Sequence, residues 1–181
     1  MMLMMLCAGA SEQSVSQWAS TFAEKGLGVS KTTGDLAGPM SFAILMGSSR
    51  ALYGKYGDRI DLDKFMAGSS ILCIAAYLCI ALMPGSVFGL VGCAVCGLSV
   101  GIMWPGTFSK AAASIPRGGT ALFALMALAG DLGCSGGPTL VGMVSSCFSE
   151  DLKKGILAAA VFPLLLLLGI LMCRRAKETI T

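Results

Sequence analysis

Histidine is absent from this 181-residue chain, and charged residues make up only 13% of it. Without histidine, and with no serine–lysine pair in one apolar run, hydrolytic chemistry has no evident general base. The same absence removes the commonest zinc ligand. The P-loop pattern Gly-x-x-x-x-Gly-Lys-Ser/Thr is missing as well. We therefore predict no catalytic residue, no metal, no cofactor and no enzyme activity.

Apolar residues, by contrast, form 55% of the chain, and no charged residue occurs from Phe65 to Ser109. A bilayer core of about 30 Å requires about 20 helical residues, and backbone groups inside it must be satisfied by helices. We predict an all-α, polytopic membrane bundle of six transmembrane helices, forming one domain over residues 1–181 within the lipid bilayer. The predicted spans are residues 1–23, 36–54, 65–84, 87–109, 120–147 and 155–173. The break between the third and fourth is Met83-Pro84-Gly85-Ser86.

The placement of lysine and arginine predicts the orientation. If the first span runs outward from the cytoplasm, nine of the 13 basic residues lie inside and four outside. Short loops follow the positive-inside rule, so both termini are expected to be cytoplasmic. These residues flank membrane ends, and no nucleic-acid partner is needed to explain them. The nine are Arg50, Lys55, Arg59, Lys64, Lys110, Arg117, Arg174, Arg175 and Lys177.

The first span is unusually polar, since eight of the eleven residues from Ser11 to Thr21 are polar. At 100° per residue, Glu12 and Ser16 share a face, with Gln13 and Gln17 beside them. One interpretation is the wall of a water-filled cavity that binds a polar solute. The alternative is hydrogen bonding between helices. The carboxylate of Glu12 favours the cavity.

Asp131 is the other acidic residue inside a span. A carboxylate there costs roughly 2.5–3.5 kcal/mol, so it faces a cavity or finds a partner. A proton or solute site and a structural hydrogen bond both remain open for Asp131. Trp104 is a further candidate for the solute cavity, since tryptophan suits sugars, amino acids and other solutes. The eight cysteines lie in or at the ends of spans, and we interpret them as small buried apolar residues.

The loop after the second span, Gly54-Lys-Tyr-Gly-Asp58-Arg59, resembles the signature loop of major facilitator superfamily transporters. Gly54, Asp58 and Arg59 match its Gly-x-x-x-Asp-Arg pattern. Asp61 replaces the second glycine, as in the weaker copy found in the second half of such transporters. The resemblance implies a gating role for Gly54, Asp58 and Arg59 at the cytoplasmic rim. The alternative is plain anchoring by positive charge.

Two further segments resemble the same superfamily. Gly133-Cys-Ser-Gly-Gly137-Pro138 is similar to its Gly-Pro hinge element, and Gly101-Ile-Met-Trp104-Pro105 looks like the fourth span of the second half in fucose-permease-like members. The resemblance implies the C-terminal half of a twelve-helix secondary transporter, in which solute binds between two six-helix halves.

From this resemblance we expect an ion-coupled permease for a small polar solute, located in a bacterial plasma membrane and working by alternating access. Its expected partner is a missing N-terminal half or a second copy. The competing interpretation is a membrane interaction protein, or a truncated transporter fragment, that does not transport.

Overall fold

A computed structural model describes residues 1–27 and 30–180, apart from the side chains of residues 22, 25–27, 58, 86 and 176–180. This part of the chain is helical, without a strand. The helices are α1 (Met2–Ser16), α2 (Ala19–Leu27), α3 (Lys31–Tyr56), α4 (Leu62–Leu82), α5 (Ser86–Val100), α6 (Met103–Ser114), α7 (Gly119–Cys147), α8 (Leu152–Ala159) and α9 (Val161–Ile180), with a 3₁₀ turn at Gly57–Arg59.

The all-helical membrane prediction is confirmed in its coarse form. Four stretches within the described residues are long and apolar enough to cross a bilayer: Leu62–Leu82, Val87–Ser114, Gly119–Cys147 and Leu152–Arg175. The count of six is not confirmed. Helices α1 and α2 are each shorter than a crossing requires, and α3 is long enough but carries Arg50 and other charges.

Three of the predicted spans are not single helices, and proline explains two of the breaks. Proline has no N–H to donate to the carbonyl four residues earlier, and its ring crowds that carbonyl. Pro105 thereby separates α5 from α6 at Gly101, and Pro163 separates α8 from α9 at Ala160. Neither proline disturbs the helix that follows, because each lies in its first turn. The first span breaks at Gln17 and Trp18, where the Trp18 N–H bonds back to Val15 at 3.1 Å.

The turn between α4 and α5 is confirmed. Helix α4 ends at Leu82, and α5 begins at Ser86. Between them Gly85 has φ +97°, a left-handed conformation that only glycine adopts without strain. The chain therefore reverses tightly after Pro84.

Helix α1 lies at the centre of the bundle, in contact with α5, α6, α7, α8 and α9. Its most extensive partner is α7. Buried residues occur along its length, including its polar C-terminal part: Met4, Met5, Cys7, Ala8, Gly9, Ala10, Ser11, Ser14 and Val15. The Tyr77 hydroxyl of α4 donates to the Ser11 carbonyl at 2.8 Å. The polar residues of this segment are thus divided between the core and one open side.

Candidate functional site

The open side of α1 borders a pocket between α1, α3, α6 and α7, with a volume of about 470 Å³. We call it the charged pocket, because a carboxylate and a guanidinium both line it. Its lining residues are Glu12, Gln13, Arg50, Trp104, Pro105, Phe108 and Cys134.

Glu12 and Arg50 form the ion pair of this pocket. The Glu12 Oε2 atom lies 3.6 Å from Arg50 Nη2, and the two side chains are 15% and 45% exposed. At that distance the charges attract without a hydrogen bond. The buried Oε2 atom has no hydrogen-bond partner among the described residues. The Glu12 carboxylate can therefore accept a further hydrogen bond.

A second contact holds Arg50 in place. Its Nε–H donates to the carbonyl of Gly101 at 3.2 Å. That carbonyl is available because Pro105, four residues later, has no N–H to donate to it. A β-carbon on Gly101 would lie 2.8 Å from the Met46 carbonyl oxygen, so glycine also lets α3 approach closely here. The break between α5 and α6 thus creates the acceptor that positions Arg50.

Trp104 forms the aromatic wall of the charged pocket. Its ring lies 6.2 Å from Phe108, which in turn lies 5.7 Å from Phe123. Space for the indole depends on Gly130 of α7, where a β-carbon would lie 2.6 Å from the ring. The buried Nε1–H has no acceptor within the described part of the chain. Buried indole N–H groups usually have a partner, so this donor is available to a bound molecule.

Of the six predicted cavity residues, the structure brings Glu12, Gln13 and Trp104 together in the charged pocket. Ser16 and Gln17 do not line it. Ser16 is the last residue of α1, and the exposed Gln17 lies at the break before α2. Asp131 is exposed on α7, one turn before Cys134, and makes no ion pair with the described side chains.

Sequence reasoning missed Arg50, which was assigned to the cytoplasmic flank of the second span. The structure shows Arg50 within α3, where it pairs with Glu12 of α1. A signal was present, since Arg50 lies inside the apolar run 36–54. Pro105, Phe108 and Cys134 were also absent from the predicted cavity.

The signature loop connects α3 to α4. Gly54 is exposed near the end of α3, and Arg59 is exposed in the 3₁₀ turn. The Asp58 side chain lies outside the described residues. Asp61 caps α4, because its Oδ1 accepts from the Asp63 N–H at 3.0 Å and the Lys64 N–H at 3.3 Å. The gating role of Asp58 stays a prediction.

Further contacts between charged residues lie at the start of α4, directly after this loop. The backbone hydrogen bond from Lys64, helped by the Lys64 charge, lowers the pKa of Asp61 below its usual value. Two residues after Asp61, Asp63 of α4 forms an ion pair with Lys110 of α6. The start of α4 is thus bound to α6, the helix that carries Trp104.

The predicted hinge lies in a continuous helix. Helix α7 runs from Gly119 to Cys147 through Pro138 without a break. Gly133 packs on the Leu6 carbonyl of α1, and a β-carbon on Gly137 would lie 2.7 Å from the Ala10 carbonyl oxygen. The structure gives both glycines a packing role, and bending at Pro138 stays a prediction.

Four of the eight cysteines are buried, namely Cys7, Cys73, Cys93 and Cys96, and the Cys96 sulfur lies 3.9 Å from that of Cys73. All eight cysteines are free thiols. Among the described residues, no three His, Cys, Asp or Glu side chains are grouped to hold a metal ion.

These features define a polytopic α-helical membrane protein with a charged, aromatic-walled pocket. The family model described as Major Facilitator Superfamily matches residues 1–138, about three quarters of the chain. No curated protein and no solved structure matches the chain. The chain belongs to the major facilitator superfamily, a family of membrane transporters rather than enzymes.

Proposed function

We propose that the chain forms the solute-binding half of a secondary active transporter, and that the charged pocket contacts a small polar solute. One observation carries the proposal. The carboxylate of Glu12 and the indole N–H of Trp104 are buried at the same pocket without hydrogen-bond partners among the described residues. Buried polar groups are normally paired, so a polar solute is a fitting partner for both.

The proposal includes six membrane crossings, in which the broken helices α1–α2, α5–α6 and α8–α9 each make one. Two of the four apolar stretches, Val87–Ser114 and Leu152–Arg175, each contain such a pair of helices. The excess of basic residues near one set of loops favours both termini in the cytoplasm. The signature-loop resemblance supports the C-terminal half, and the Gly101–Pro105 segment supports a fucose-permease-like branch. A bacterial plasma membrane and ion-coupled alternating access complete the proposal.

The exposed face of α7 supports a second six-helix unit as partner. Only 22% of this apolar stretch is buried, against 56% for Val87–Ser114. Its exposed side carries Asp131, Ser135 and Thr139. A carboxylate facing lipid is costly, so this face suits either a water-filled cavity or a protein partner. We propose that an N-terminal half, or a second copy of the chain, covers it.

Proteoliposome uptake tests the proposal. The chain is reconstituted alone and with a candidate first half, and uptake of labelled 6-deoxyhexose and L-amino acids is measured with and without imposed proton and sodium gradients. Gradient-driven uptake of either solute class that falls at least tenfold in Glu12→Gln and Arg50→Gln supports transport through the charged pocket. Arg117→Gln, in an exposed loop away from the pocket, serves as the matched control.

Two outcomes contradict the proposal. Uptake that is equal in wild-type, Glu12→Gln and Arg50→Gln proteins, at matched protein level, removes the charged pocket from the pathway. Absence of uptake with either partner arrangement favours a membrane interaction protein that does not transport.

A further inference from the structure

The formal charges that line the charged pocket cancel, since Glu12 supplies one negative charge and Arg50 one positive charge. Inside a bilayer an uncompensated charge is expensive, because the surroundings cannot solvate it. A solute with a net charge would leave the occupied pocket unbalanced. A solute that carries one charge of each sign keeps it neutral.

The pocket also has both an unpaired hydrogen-bond acceptor and an unpaired hydrogen-bond donor. Four buried polar side-chain atoms in the described part of the chain have no hydrogen-bond partner, and two of them, Glu12 Oε2 and Trp104 Nε1, belong to pocket-lining residues. The first needs a donor and the second an acceptor. Gln13, beside them, can act as either. A ligand that satisfies both atoms therefore presents an N–H group and an oxygen.

Arg50 is the strongest hydrogen-bond donor that lines the pocket. Of its five N–H donors, Nε–H is used by the Gly101 carbonyl at 3.2 Å. The side chain is 45% exposed, so the guanidinium is reachable from the pocket. A planar guanidinium held at one end binds a carboxylate through two parallel hydrogen bonds.

The Glu12 side of the ion pair suits a cation. The free oxygen of Glu12 accepts from an ammonium group, and the faces of Trp104 and Phe108 attract positive charge through their ring electrons. The pocket volume of about 470 Å³ lies within the range of small-molecule sites. Both ends of a small dipolar molecule thus find a complementary group.

We infer that the charged pocket takes a zwitterionic solute of the α-amino acid class, whose carboxylate binds Arg50 and whose ammonium group binds Glu12. This inference rests on the proposed function, because it names the substrate class of the same site. The rings of Trp104 and Phe108 contact the solute beside its ammonium group.

Ligand binding by the full chain in lipid nanodiscs tests the inference. The sequence has two tryptophans, so Trp18→Phe leaves Trp104 as the sole indole reporter of the pocket. L-leucine and L-serine are titrated beside N-acetyl-L-leucine, which lacks the cation, L-leucinamide, which lacks the carboxylate, and a 6-deoxyhexose. We expect Kd values for the zwitterions at least tenfold lower than for both blocked derivatives and the sugar.

Two variants test which charged group of the solute binds Glu12 and which binds Arg50. Glu12→Gln should abolish the preference for leucine over N-acetyl-leucine and keep the preference over leucinamide. Arg50→Gln should do the reverse. Arg50→Lys, which keeps the charge but loses the bidentate geometry, serves if the glutamine variant does not fold. Arg117→Gln should bind like the wild type.

Similar affinities for leucine and its blocked derivatives overturn the inference. Binding or uptake of the 6-deoxyhexose without the zwitterions overturns it too, and leaves the proposed transport function standing. If neither solute class is bound in nanodiscs or taken up by the proteoliposomes, the inference and the proposed function fail together.

Discussion

Gly133 of α7 packs directly on the main-chain carbonyl of Leu6 in α1, with no room for a β-carbon between them. One turn later, Gly137 meets Ala10 of the same helix. The two helices therefore cross backbone to backbone, which small residues allow inside a membrane. This crossing brings Glu12 of α1 and Cys134 of α7 to the same pocket.

Gly133→Ala should destabilise the bundle, since the added methyl group overlaps the Leu6 carbonyl, and overpacking typically costs about 1–3 kcal/mol. Gly136→Ala is the matched control on the same helix, because nothing lies within 4 Å of its would-be β-carbon. Alanine is the better helix former, so this variant should be neutral or slightly stabilised. Thermal unfolding in detergent measures both. Equal losses in the two variants would contradict backbone contact at Gly133.

Pro105→Ala should release Arg50 from its anchor. An alanine N–H at position 105 can bond to the Gly101 carbonyl and make α5 and α6 continuous, which displaces Arg50 Nε and rotates Trp104. We expect a clear change in acrylamide quenching of Trp104 in a Trp18→Phe background, together with reduced solute uptake. Pro163→Ala repairs the equivalent break between α8 and α9, outside the residues that line the charged pocket. Its Trp104 quenching should match that of the parent, and identical quenching in all three proteins would refute the proline mechanism.

Tyr77→Phe should lower stability by about 1 kcal/mol, because it deletes the buried hydrogen bond from the Tyr77 hydroxyl to the Ser11 carbonyl. The side chain is fully buried, so no water replaces the lost donor. Tyr56→Phe, at an exposed tyrosine, is the control and should stay close to wild type. Chemical or thermal unfolding of the reconstituted protein compares the two. A stable Tyr77→Phe variant would show that α1 does not depend on this contact.

Asp58→Asn should alter the transport rate more than the folded abundance, as the signature-loop resemblance implies for a charge that biases the closed state. Asp61→Asn is the control, because asparagine still caps the start of α4. Initial uptake rates at matched protein level, measured on the chain assembled with its partner half, decide the question. Unchanged kinetics in Asp58→Asn would reduce this loop to a topology anchor.

The helical elements were largely predictable, and the exceptions have local causes. Helices α4 and α7 lie within three residues of their predicted bounds, because long apolar runs define both and the Pro84–Gly85 turn follows the end of α4. Pro105 and Pro163 are visible in the sequence, although the predicted spans run through both positions. The polar periodicity of α1 selected Glu12 and Gln13, which line the charged pocket. It also selected Gln17, which does not line the pocket because the helix ends there.

Composition by itself determined that this chain belongs in a membrane as a set of helices, because apolar runs without charge can satisfy their backbone only in that form. It also determined that Glu12 needs a special environment. Only the tertiary structure decided that the environment includes Arg50, since the meeting of α1 with α3 brings distant parts of the chain together. The position of Arg50 further depends on the carbonyl that Pro105 leaves free at Gly101. The residue pattern of one helix does not specify which other helix packs against it. The charged pocket therefore depends on tertiary packing.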